Sequence, residues 1–129
     1  MKFKVLAILW MVLIFITSSI PSEEFPDVEF WGCAKLVHLV YFGVLYYLLE
    51  KVLRQQTRFP SLARRPVLVA FIFTILYGVS DEVHQLFTPG RHGQATDVLI
   101  DALGALISVA VARVSAAMRS KRAEPAAGS

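Results

Sequence analysis

The sequence has few of the residues that hold small extracellular or metal-bound domains together. It contains one cysteine and three histidines among 129 residues. A disulfide within the chain is therefore excluded, and the paired ligand motifs of a zinc finger are absent. Charged residues make up only 18% of the chain, against about 25% in soluble domains. This shortage argues against a soluble enzyme and against a disordered regulator.

Apolar side chains take the place of the missing charges. Hydrophobic residues account for 56% of the sequence, and the mean hydropathy is +0.58. A soluble domain of this length has too much surface to bury so many apolar groups in one core. The length allows about one domain. The composition therefore predicts a small membrane protein.

Four apolar runs, separated by proline, glycine and polar residues, predict the architecture. The run from Val67 to Phe73 does not alternate between apolar and polar residues, which argues against barrel strands. We therefore predict an all-α fold, a membrane-embedded bundle of four short transmembrane helices. The spans are predicted at about 5–20, 34–50, 67–87 and 97–114, within a single domain of residues 1–120 that is followed by a short polar tail, 121–129.

The charges are divided between the two ends of this bundle. Eleven of the 13 basic residues lie near the N-terminus, between the second and third runs, or at the C-terminus. By the Lys/Arg rule both termini are predicted in the cytoplasm, and no nucleic-acid partner is needed to explain the basic pI. The alternative that Met1–Ser19 is a cleaved signal peptide stays open. Eight of the ten acids fall on the opposite side: Glu23, Glu24, Asp27, Glu29, Asp81, Glu82, Asp97 and Asp101.

Polar residues gather where three of the runs reach this acidic side. Charged groups inside a membrane cost at least ~2.5 kcal/mol each and are expected to face one another. We expect Lys35 to form an ion pair within this set, with Asp81, Glu82 or Asp101 as its partner. The set comprises Lys35, His38 and Tyr41 of the second run, Asp81, Glu82, His84 and Gln85 of the third, Arg91 of the following turn, and Asp97 and Asp101 of the fourth.

Several of these residues also have a purely structural interpretation. Asp97 follows Thr96 and suits a helix N-cap. The side chain of Lys35 could simply extend to the membrane surface, and Arg91 could be a solvated residue of a turn. Gly104 and Ser108 share a face of the fourth helix and are small enough to let another helix approach closely.

The order of these residues resembles the VanZ-like family of small bacterial membrane proteins, which is associated with teicoplanin resistance. The resemblance rests on Lys35-x-x-His38-x-x-Tyr41, on the string from Tyr77-Gly78 through Asp81-Glu82-x-His84-Gln85-x-Phe87-x-Pro89-Gly90-Arg91, and on Asp97 with Gly104. The family usually has asparagine where Asp101 stands. The resemblance implies a multi-pass protein of the bacterial plasma membrane with a link to the cell envelope. It supplies no reaction and no cofactor.

Three function hypotheses follow. In the first, the polar set binds or modifies an amphiphilic or lipid-linked envelope component, among membrane lipids. In the second, the protein is an outer-leaflet enzyme in which Asp81 or Glu82 is the general base, His84 is the acid or orients the base, and Lys35 or Arg91 stabilises an anion. A metal version would use Asp81 and His84 with Glu82, Asp97 and Asp101. The third is a small ion-coupled transporter.

Overall fold

The computed structural model describes residues 2–21 and 31–123, with side chains described for 2–21 and 33–120. Within these ranges the chain forms helices and no strand. The elements are α1 (Lys2–Ser18), α2 (Trp31–Gln55), the single turn α3 (Pro60–Ala63), α4 (Pro66–Gln85) and α5 (Ala95–Ala123). The predicted all-α bundle is confirmed.

Three of the four long helices are long and apolar enough to cross a membrane, over Cys33–Gln55, Pro66–Gln85 and Ala95–Ser120. The fourth, α1, has 17 residues and a length of about 25 Å at 1.5 Å per residue. Its surface is apolar, with Ile8 62% and Leu9 59% exposed. Side chains of this kind face lipid in a membrane bundle, since the lipid is as apolar as they are.

The helix boundaries differ in places from the predicted spans. Helices α2 and α5 extend past the apolar runs into polar sequence, because charged residues still form helix once the chain leaves the membrane. Helix α4 ends at Gln85, two residues before the predicted end at Phe87. The turn after α4 includes Gly90, whose φ of 71° is a conformation that glycine adopts at little cost.

The contacts between helices give their directions. Lys35 and His38 of α2 contact Asp97 and Asp101 of α5, so α2 and α5 run parallel. Ser19 follows α1 and contacts His84 of α4. Earlier in α1, the carbonyl oxygen of Met11 accepts a hydrogen bond from the hydroxyl of Tyr77, which lies earlier in α4. The helices α1 and α4 therefore also run parallel to each other. The two pairs are antiparallel, as four successive spans require.

The bundle therefore has two chemically different ends. We call the end formed by the starts of α2 and α5 and the end of α4 the acidic end, and the opposite end the basic end. Lys2, Lys4 and the arginines of the α2–α4 connection lie at the basic end. The predicted acids Glu23, Glu24, Asp27 and Glu29 lie outside the described residues, as do the side chains of the tail 121–129.

Helix α2 occupies the centre of the bundle and contacts α1, α4 and α5. Against α5 it packs closely at Gly43, where Ser108 Oγ donates a 2.7 Å hydrogen bond to the Gly43 carbonyl. An added Cβ on Gly104 would collide with the backbone carbonyl of Leu39. The predicted close approach at Gly104 and Ser108 is thus confirmed, and it fixes the depth at which the two helices pair.

Candidate functional site

The acidic end is organised around an ion pair between α2 and α5. Lys35 Nζ lies 2.8 Å from Asp97 Oδ1. The sequence had predicted Asp81, Glu82 or Asp101 as the partner, and that prediction was wrong for this contact. Asp97 lies in the first turn of α5, which begins two residues earlier at Ala95, so it is not the N-cap residue. Its carboxylate bonds Lys35 across the interface, where it is only 14% exposed.

One turn deeper, His38 faces two further carboxyl groups. Its Nδ1 lies 3.0 Å from Asp101 Oδ1 and 4.0 Å from Glu82 Oε1. Asp101 is wholly buried, and Glu82 is 6% exposed. The backbone N–H of Gln94 donates a 2.6 Å hydrogen bond to Glu82 Oε2. The other oxygen, Oε1, has no hydrogen-bond partner among the residues that the structure describes.

Asp101 reaches this position because α4 carries a glycine opposite it. A Cβ on Gly78 would stand 2.7 Å from Asp101 Oδ2, well inside van der Waals contact. A larger residue at position 78 would therefore displace the carboxyl group from His38. Asp101 Oδ2 has no hydrogen-bond partner within the described part of the chain. A buried oxygen of this kind is costly and is typical of a functional position.

Two further polar residues of α4, Asp81 and Gln85, line a cavity between α1, α2 and α4. Gln85 Nε2 donates to Asp81 Oδ2 over 3.1 Å, and both residues line the cavity with His38 and Arg91. Its volume is about 460 Å³, within the range of about 300–1,000 Å³ found for small-molecule sites. The apolar walls are formed by Ile14, Ile20, Cys33, Ala34, Val37, Tyr41 and Phe42.

Two of the α2 side chains that line the cavity are accessible from outside the bundle. Val37 lines it and is 45% exposed, and Cys33 lines it and is exposed. On the opposite wall, Arg91 donates hydrogen bonds to the carbonyls of Ile20 and Thr17, at the end of α1. The cavity therefore has partly exposed apolar side chains as well as polar groups in its lining.

His84 lies apart from the acids with which the sequence grouped it. Its Nε2 is 2.9 Å from Ser19 Oγ, and its ring lies 4.5 Å from that of Phe15. No hydrogen bond or ion pair joins it to Asp81 or Glu82 in the part of the chain that the structure describes. The residue that shares the Asp81 face is Gln85, one position further on.

The group that could hold a metal ion contains His38 rather than His84. One ligand atom each from His38, Glu82 and Asp97 lie within 4.8 Å of one another. One nitrogen and two carboxylate oxygens suit a divalent transition metal. The sequence had placed Asp81 and His84 in the metal set. The structure brings together Glu82 and Asp97 from that set and adds His38, whose Nδ1 also lies 3.0 Å from Asp101 Oδ1.

Several contributing residues were not found from the sequence. Ser19 gave no signal, since a serine after an apolar run is common. Gln94 acts through its backbone N–H, which any residue except proline carries. Trp10 donates a 2.9 Å hydrogen bond to the Tyr41 carbonyl and fixes α1 beside the cavity. A tryptophan within an apolar run, whose N–H needs an acceptor, was the available signal.

Comparison with known proteins gives one match. A family model described as VanZ/LLP1 matches residues 3–116. The match covers α2 and α4 completely, α1 apart from Lys2, α5 as far as residue 116, and every candidate site residue. No curated protein matches the chain, and no solved structure does.

Proposed function

Since this chain belongs to the VanZ/LLP1 family and folds as a membrane bundle, we propose that it binds an amphiphilic molecule of the cell envelope. The apolar part of that molecule occupies the cavity between α1, α2 and α4. Its polar head meets Asp81, Gln85 and His38 at the acidic end. We propose the bacterial plasma membrane as the location, with the basic end and both termini in the cytoplasm.

The observation that carries this proposal is the two-sided lining of the cavity. Ile14, Val37 and Phe42 offer apolar contact to this cavity, while Asp81 and His38 offer polar groups. Such a lining matches a molecule with an apolar chain and a polar head, and neither a fully polar solute nor a plain hydrocarbon satisfies both parts. The acids at this end outnumber the lysine and arginine beside them, so a head that is cationic or donates hydrogen bonds is favoured. An envelope amphiphile also suits the family's association with teicoplanin resistance.

Filling the cavity should remove this binding without unfolding the bundle. Val37→Trp places a bulky ring in the cavity from a position that is already 45% exposed. We expect an amphiphile to co-purify with the wild-type protein in mild detergent and to fall at least about tenfold in the variant. The measurement is mass spectrometry of the material extracted from each purified protein.

The control is Val40→Trp, on the same helix. Val40 is 47% exposed and does not line the cavity, so this variant should retain the wild-type amphiphile. The same extracted species in all three proteins would show that the detergent extract reports only surrounding lipid, and it would contradict the proposal.

A second candidate function, metal-assisted chemistry on a lipid-linked substrate, is supported by the three converging donors. His38, Glu82 and Asp97 supply one nitrogen and two oxygens, and Glu82 Oε1 lacks a hydrogen-bond partner among the described residues. A divalent ion held there would polarise a phosphoryl or carbonyl oxygen. Lys35 already pairs with Asp97, so the ion would share that carboxylate with the lysine or displace it.

Metal content separates this candidate from simple binding. Protein purified without chelators should carry about one divalent ion per chain, and Glu82→Gln should lose it. The matched control is Glu50→Gln, because Glu50 is equally buried, at 6% exposure, but lies at the basic end. Metal well below one equivalent in the wild-type protein, before and after incubation with zinc or manganese, would exclude the metal-assisted function.

A further inference from the structure

The basic end carries a groove that the proposed function does not use. It lies between the first turns of α4 and the middle of α5, and its volume is about 560 Å³. Leu68 and Leu106 line it and are 49% and 53% exposed, and Phe71 lines it as well. These side chains belong to two helices that can cross a membrane, so the groove continues along a surface that faces lipid.

Four arginines surround one end of this groove. Arg54 is on α2, Arg64 and Arg65 directly precede α4, and Arg113 is on α5. Arg54 pairs with Glu50, with Arg54 Nη2 2.6 Å from Glu50 Oε1. The other three have no carboxylate within ion-pair distance among residues 2–21 and 33–120. The groove thus collects positive charge that the described chain does not neutralise.

The start of α4 adds to this positive field. Helix α4 begins at Pro66, and Arg65 at its N-cap makes no side-chain hydrogen bond to the first turn. The first N–H groups of a helix have no partner within it, and Pro66 carries no N–H. The backbone N–H groups of Val67 and Leu68 therefore point out of the helix at the groove end. Free N–H groups together with the helix dipole favour an anion at this place.

We propose that this groove binds one anionic phospholipid of the surrounding membrane. Its phosphate lies between Arg64, Arg65 and Arg113, and an acyl chain follows Leu68 and Phe71. A free phosphate or a nucleic acid would satisfy the arginines but would leave the apolar wall uncovered. A phospholipid satisfies both, and basic pockets between membrane helices are the typical place for such headgroups. The site is at the opposite end of the bundle from the cavity, so it does not depend on the proposed function.

The test compares two sets of substitutions in the full-length protein by native mass spectrometry in detergent, with phosphatidylglycerol as the probe and phosphatidylcholine as the neutral lipid. The groove variant is Arg64→Gln, Arg65→Gln and Arg113→Gln. The control variant is Lys2→Gln, Lys4→Gln and Arg58→Gln, which removes the same charge from the same end at positions that do not line the groove. We expect the groove variant to bind phosphatidylglycerol at least about tenfold more weakly and the control within about twofold of wild type.

Equal weakening in both variants would mean that the lipid is held by diffuse charge, and no weakening in either would mean that the groove does not bind it. Each result overturns the proposal. Inorganic phosphate at the same concentration should fail to displace the lipid, and displacement would overturn the choice of a phospholipid over free phosphate. Thermal unfolding of both variants in the same detergent checks that they fold. If the groove variant does not fold, the single substitution Arg113→Gln replaces it, and a smaller loss of lipid binding is expected.

Discussion

Gly104→Ala is expected to destabilise the protein by about 3 kcal/mol, one of the two largest effects of a single substitution that we predict. The added Cβ collides with the Leu39 carbonyl and stands 3.1 Å from the Gly43 nitrogen. Both neighbours are backbone atoms, so neither can rotate away as a side chain would. Helices α2 and α5 have to move apart, which also stretches the hydrogen bond from Ser108 to Gly43.

Thermal unfolding of the detergent-solubilised protein, followed by circular dichroism, measures this effect. Leu103→Ala is the neighbouring control, because Leu103 is 48% exposed and its loss should change stability by less than about 0.5 kcal/mol. If Gly104→Ala unfolded at the same temperature as wild type, α2 and α5 would not approach as closely as described. The Lys35–Asp97 and His38–Asp101 contacts would then lose their structural basis, since both depend on that approach.

The second large effect is expected at Asp101, where alanine should cost about 3–5 kcal/mol. Asp101 is fully buried, and its carboxyl group is 3.0 Å from His38 Nδ1. Alanine removes the carboxyl group that lies 3.0 Å from His38 Nδ1 and leaves a space beside Gly78. Breaking one side of a buried polar pair is costly because the other side stays buried and unpaired.

Asp101→Asn is the matched variant. Asparagine keeps the volume and an oxygen that accepts from His38, and it is the residue that the VanZ-like pattern usually has there. We expect it to fold nearly as well as wild type, with a yield of monodisperse protein far above that of Asp101→Ala. Equal yields of the two variants, high or low, would contradict the role given to the His38–Asp101 contact.

Much of the fold could be predicted from the sequence because its cause is local. Apolar runs of membrane length can satisfy their backbone hydrogen bonds in lipid only as helices. Pro66 marks the start of α4, and Gly90 marks the turn that follows it. The small residues Gly104 and Ser108 indicated the face of close packing. The four-residue helix α3 lies in a polar connection and was not predicted, since nothing in its apolar pattern distinguishes it from a loop.

The site was predicted as a neighbourhood but not as a set of pairs. Adjacent helix positions differ by about 100° around the axis, so whether His84 or Gln85 shares the face of Asp81 depends on how α4 is rotated. That rotation is set by α1, through Tyr77 to Met11 and Ser19 to His84, which are long-range contacts. The partner of Lys35 could not be predicted for a similar reason. The axial position of α5 against α2 decides whether Asp97 or Asp101 lies at the level of Lys35, and that position is set by long-range packing.

Photolabelling in the membrane tests most directly the central claim, that the cavity between α1, α2 and α4 holds an amphiphile. The probe is a long-chain alkylammonium with a diazirine in its chain, activated in vesicles that contain the full-length protein, and the labelled residues are mapped by peptide mass spectrometry. We predict labels concentrated on Ile14, Val37 and Tyr41, with Val37→Trp abolishing them and Val40→Trp preserving them. Labels spread evenly over lipid-facing residues such as Leu36 and Val40, and unchanged in Val37→Trp, would contradict the claim.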